Sequence, residues 1–213
     1  MLVGHYAPAL LAYRASRGQA GAPFWVLLLA AQAVDVGFML LGLVGVEGAR
    51  LAQTAPKLVV TAGVWTHSVP ATIVWSVVLG ALAGRIWRGA ALPVGLVVAS
   101  HFAADLLVHT PDLPVGFSQE PALGLGLWLH PPWAWALECA FVLAATVRLA
   151  PAVQQRESRR LWVLCATLLG IQTLSEFVIP TPPAFGGLAA SALALYAGVA
   201  AFGWWVQRAR PVQ

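Results

Sequence analysis

The stretch AALPVGLVVASHFAADLLVHT, residues 90–110, decides the fold. It holds no Lys or Arg, and it is as long as the roughly 20 mostly apolar residues that a helical membrane span needs. It nevertheless carries His101, Asp105 and His109. Steps of four put these three on one helical stripe, each about one turn from the last. A charge at mid-bilayer costs roughly 2.5–3.5 kcal/mol on insertion scales, so such a stripe must face protein and find a compensating partner.

Outward from this stretch, the same composition recurs. The chain is 60% hydrophobic and 9% charged, with mean hydropathy +0.79, where a soluble domain is about a quarter charged. Apolar runs separated by charged or Pro/Gly-rich breaks predict an all-α, polytopic membrane helical bundle. It has about six transmembrane helices, near 24–46, 58–84, 90–110, 133–149, 161–179 and 187–206, in one integral membrane domain, 1–213. Residues 2–13 form a shorter apolar helix, too short to cross alone, which re-enters the membrane or packs against the bundle. The N-terminus lacks the basic region of a secretory signal. No internal repeat or low-complexity tract is visible. Cys139 and Cys165 stand apart in apolar runs, which suits packing and not a disulfide framework.

Loop charges orient the bundle. If six spans alternate, Arg14, Arg17, Arg85, Arg88, Arg148, Arg156, Arg159, Arg160, Arg208 and Arg210 share one side, and only Arg50 and Lys57 take the other. The positive-inside rule makes the richer side cytoplasmic, with both termini on it. The net charge of +4 is therefore read as a topology signal, and no nucleic-acid partner is expected. Tryptophans fit the same frame: Trp25, Trp87, Trp162, Trp204 and Trp205 at cytoplasmic ends, and Trp128, Trp133 and Trp135 at the outer face. The long outer loop, about 111–132, is rich in Pro, Gly and aromatics and reads as a lid or rim. Within it Asp112 suits an Asx-type turn, and His130 a structural or rim position.

Four of the eight acidic residues fall inside predicted spans: Asp35, Asp105, Glu138 and Glu176. Counted from the outer ends at 1.5 Å per residue, His67 and His101 lie roughly 13 Å deep, and Asp105 and Glu138 roughly 8 Å. His5 reaches similar depth only if the N-terminal helix rises from the cytoplasmic face. A divalent metal takes neutral imidazole and carboxylate ligands converging from several directions. His101 and Asp105 from one helix, with His67 and Asp35 from its neighbours, meet that requirement.

Gly4-His5-Tyr6-Ala7, Ala31-Gln32-Ala33-Val34-Asp35, Thr66-His67-Ser68, Ser100-His101-Phe-Ala-Ala-Asp105 and His109-Thr-Pro-Asp112-Leu-Pro114 occur in a recognisable order. Together they resemble a family of small polytopic bacterial inner-membrane proteins described as membrane-bound metal-dependent hydrolases, with a LexA-regulated member. The resemblance covers about residues 4–140. It implies a metal site of His5, Asp35, His67, His101 and Asp105. The Arg that the family often carries before its Thr-His-Ser is absent here, where Gly63-Val64-Trp65 stand, and the His109 extension points to a subgroup of undefined function.

Three functions follow. The first is a hydrolase with a divalent metal, zinc before manganese or iron, acting in the bacterial inner membrane on a lipid or amphiphilic ester or phosphoester. Its ligands are His67, His101 and Asp105, joined by His5, His109 and Asp35; Asp35 also serves as a catalytic candidate and Glu138 as the preferred general base. The second is an ion- or proton-coupled transporter using the same groups. The third is bis-histidine haem ligation by His67 and His101. Membrane lipids are the expected partners.

Overall fold

The computed structural model describes residues 1–15 and 21–208. Arg17 and Arg210, counted above among the cytoplasmic charges, lie outside them. Among the described residues, eight α-helices run in chain order: α1 (Tyr6–Ala15), α2 (Phe24–Ala31), α3 (Ala33–Leu43), α4 (Val69–Ile86), α5 (Ala91–Val108), α6 (Pro131–Leu149), α7 (Gln155–Phe177) and α8 (Phe185–Gln207). Two small antiparallel pairs interrupt them: β1 (Gly48–Leu51) with β2 (Leu58–Ala62), and β3 (Leu113–Pro114) with β4 (Ala122–Leu123).

The all-α expectation holds. Among the described residues, α4, α5, α6 extended by a 3₁₀ turn, and α8 are long and apolar enough to cross a membrane. The pair α2–α3, bent by 54°, makes a fifth if counted as one broken span. Four to five such helices are compatible with a multi-pass membrane protein. The remaining expected span, 161–179, is helix α7. Its first turns carry Arg156, Glu157, Arg159 and Arg160, and its far end Gln172 and Glu176, so it is long but less apolar than the others.

Local chemistry explains the boundaries. The run expected as one span over 58–84 splits, because Leu58–Ala62 is rich in β-branched residues that suit a strand and pairs with Gly48–Leu51. Helix α4 starts only at Val69. There the Ser68 hydroxyl caps it by accepting from the Ala71 amide at 3.2 Å, and Pro70 occupies a first-turn position that needs no donor. Helices α4 and α5 then pack as a tight antiparallel pair. A Cβ on Gly80 would lie 2.7 Å from the Ala91 carbonyl oxygen, so only glycine permits this approach.

Helix α1 is a core element. Tyr6, Leu10 and Tyr13 are buried against α2, α5 and α6. The break after α2 is held from inside, where buried Gln32 donates from Nε2 to the Leu2 carbonyl at 2.9 Å. One end of the bundle is covered by the β1–β2 hairpin and the 109–130 loop, which are knitted together. The Val60 amide donates to Asp112 Oδ2 at 2.7 Å, and the Gly63 amide to Gln119 Oε1 at 3.2 Å.

Candidate metal centre

The site lies under that cover, and four separate segments build it. His5 immediately precedes α1, and Asp35 sits in the first turn of α3. Breaking α2 from α3 creates a helix N-terminus there, where the partial positive charge of the free amides favours a carboxylate. His67 precedes the Ser68 cap. His101 and Asp105 share one face of α5, and His109 ends that helix. The rings and Asp105 are buried: His5 1%, His67 4%, His101 1%, Asp105 1% and His109 3% exposed.

Four nitrogen-to-oxygen separations define the centre. His67 Nε2 lies 3.3 Å from Asp35 Oδ1 and 3.7 Å from Asp105 Oδ2. His101 Nε2 lies 3.4 Å and 3.1 Å from the same two oxygens. His5 stacks on His101, with ring centroids 3.7 Å apart and planes within 8°, and its Nε2 is 3.0 Å from Asp105 Oδ1. Despite these distances, neither His101 Nε2 nor Asp105 Oδ2 has a hydrogen-bond partner among the described residues, nor does either nitrogen of His5. Buried polar atoms are rarely left this way.

The tautomer of His101 sharpens the point. Its Nδ1 faces the Ala31 carbonyl at 2.9 Å. A carbonyl only accepts, so the ring carries its proton on Nδ1 and, when neutral, turns a bare Nε2 lone pair toward two carboxylates. Lone pairs facing oxygens repel unless a proton or a metal ion lies between them. Among the described residues, two trios could hold a metal ion, His67–His101–Asp105 and His5–Asp35–His101, each with ligand atoms within 4.8 Å of one another. Both need His101, which offers only one free nitrogen, so they are two faces of a single centre.

The other expected site residues take different places. His109 Nε2 is 3.7 Å from Asp105 Oδ1, but His109 falls outside both trios. Its Nδ1 is turned to Asp112 Oδ1 at 2.9 Å, and its ring packs on Trp128. Asp112, expected as a turn former, thus ties this histidine to strand β2. Glu138 Oε2 accepts the amides of Leu2, Val3 and Gly4 at 2.8, 2.9 and 3.1 Å, which anchors the N-terminal segment. The Met1 amine in turn donates to Asp105 Oδ1. Glu176 belongs to neither trio; it lines the cavity beside the centre, with its backbone carbonyl taken by Lys57 Nζ. His130 is exposed at the start of α6.

Sequence reasoning passed over Tyr196 and Glu47. Tyr196 on α8 donates to Asp35 Oδ2 at 3.1 Å and frees Oδ1 for the centre. Glu47 binds Thr66 beside His67. A cavity of about 180 Å³ adjoins the centre, and Asp35, His67, Glu138, Phe38, Met39 and Leu188 are among the residues that line it. No family model, curated protein or solved structure matches this chain.

Proposed function

We propose that the chain is a membrane-embedded hydrolase that uses one divalent metal ion, zinc in preference to manganese or iron. His67, His101, Asp105 and Asp35 would hold the ion, with His5 alongside. The observation that carries this reading is the unpartnered pair His101 Nε2 and Asp105 Oδ2, 3.1 Å apart in the protein interior. Four of the six edges of a tetrahedral shell on these ligands, at 3.1–3.7 Å, bracket the roughly 3.3–3.4 Å that zinc bonds of 2.0–2.1 Å require. A proton shared between His101 and Asp105, as a proton relay would need, calls for an N–H aimed at the oxygen. That alignment is missing at this pair, which favours a metal over proton-coupled transport. Two carboxylates among the rings likewise weigh against haem.

Such an ion, when bound, lowers the pKa of a coordinated water toward about 7 and polarises an ester or phosphoester oxygen. The chain supplies the rest. Tyr196 holds Asp35 in place through Oδ2. Glu138 remains the proposed proton acceptor because it lines the cavity, where the Leu2, Val3 and Gly4 amides fix the position of its Oε2. The apolar wall of Phe38, Met39 and Leu188 suits the chain of a lipid or amphiphilic substrate. We place the protein in the bacterial inner membrane, with α7 crossing it as the fifth of six spans, both termini cytoplasmic and the hairpin end outside. The family of metal-dependent hydrolases named above is the proposed affiliation.

The test is elemental analysis of protein purified without added metal, paired with turnover of amphiphilic esters before and after chelation. One metal equivalent and chelator-sensitive turnover are expected. Protein with no stoichiometric ion, whose turnover ignores chelators, overturns the reading.

A further inference from the structure

Glu47 lies in the turn between α3 and β1, far from the centre in sequence, yet it is 5% exposed. The hairpin register, with Gly48 opposite Ala62, folds it back over the segment that leads into α4. Its Oε1 accepts the Trp65 and Thr66 amides at 2.7 and 3.1 Å, and its Oε2 accepts the Thr66 hydroxyl at 2.7 Å. The same hydroxyl oxygen lies 2.8 Å from His67 Nδ1.

A hydroxyl has one proton, and an ionised carboxylate can only accept. The Thr66 proton is therefore committed to Glu47, and toward His67 the oxygen can only accept. His67 must donate from Nδ1, which leaves Nε2 bare in the neutral ring. That nitrogen is the one 3.3 Å from Asp35 and 3.7 Å from Asp105. His101 reaches the same tautomer through a backbone carbonyl, whereas His67 depends on two side chains that substitution can reach.

We propose that Glu47, acting through Thr66, is a positioning residue that fixes the tautomer and ring direction of His67 and so completes the metal centre from outside it. The proposal rests on the metal reading above. Removing the orienting partner of a metal-bound histidine typically weakens binding about 10–100-fold. Glu47→Gln does more than remove a charge. Its amide oxygen keeps the two backbone amides, its NH2 meets the Thr66 oxygen, and the hydroxyl proton turns to Nδ1. The ring proton then sits on Nε2 and blocks the lone pair.

The experiment uses the full chain in detergent, with wild type, Glu47→Gln, Thr66→Val and Thr66→Ser. Zinc affinity is measured against a competing chelator, the ligand-field spectrum with cobalt(II), and the imidazole ¹⁵N shifts on metal-free protein. Thr66→Val and Glu47→Gln should weaken zinc about 10–100-fold and alter the cobalt spectrum, while Thr66→Ser stays near wild type. Metal-free wild type should carry the His67 proton on Nδ1, and Glu47→Gln on Nε2. Wild-type zinc affinity and an unchanged cobalt spectrum in Thr66→Val overturn the proposal, as does a wild-type His67 protonated on Nε2. If wild type binds no zinc, the metal reading falls while the ¹⁵N shifts still judge the relay. If Glu47→Gln does not fold, the two Thr66 variants carry the comparison.

Discussion

Asp105 divides the site between its two oxygens. Oδ1 faces the Met1 amine, His5 and His109, while Oδ2 faces His67 and His101 with no hydrogen bond. Asp105→Asn keeps the shape but removes the charge. It should lower zinc occupancy by tenfold or more on the scale of lost ligand or orienting groups, read by elemental analysis; unchanged occupancy would place the ion elsewhere. Tyr196→Phe removes only the hydroxyl that holds Asp35 Oδ2, so zinc affinity should fall by a smaller factor, on the order of a few-fold, in the same chelator titration. The sequence made His101 and Asp105 legible because four-residue spacing has a geometric meaning on a helix. Asp35 and His67 were legible through depth, since ionisable groups in lipid need each other. Glu47 was not, because its contact depends on a hairpin that hydropathy cannot reveal.

At the level of elements, two local features shape the centre. The break at Gln32 sets Asp35 into a fresh helix N-terminus and lets Ala31 face His101. No Pro or Gly stands there to announce it, so the sequence read a single span. Leu58–Ala62 was absorbed into a span because a short apolar run reads alike as strand or helix. The close contact of α4 with α5 yields a stability prediction. Gly80→Val drives new atoms at the backbone of Ala91, and overpacking of this kind costs typically 1–3 kcal/mol. Thermal unfolding in detergent should show a clearly lowered midpoint; an unchanged midpoint would mean that the helices stand further apart. Gly124 has the same character near the site, since a Cβ there would lie 2.1 Å from the Thr110 carbonyl oxygen.

Across the whole molecule, the hairpin and the 109–130 loop cover one end of a helical bundle, and His5, Asp35, His67, His101 and Asp105 gather beneath them. The proposed topology puts that end outside and has α7 cross although its ends are polar. A Ser118→Cys variant, with Cys139 and Cys165 replaced by Ala, should react with a membrane-impermeant maleimide on intact cells, because Ser118 is exposed at the covered end. A C-terminal reporter should be active only in the cytoplasm. Labelling from the inside alone would invert the orientation. The measurement that bears most directly on the central claim is X-ray absorption at the zinc edge of protein loaded with one equivalent. The account predicts a first shell of only nitrogen and oxygen at about 2.0–2.1 Å, with the outer scattering of at least two imidazoles, and loss of that imidazole signal in His101→Ala. A shell containing sulfur, or a spectrum unchanged by His101→Ala, would contradict it.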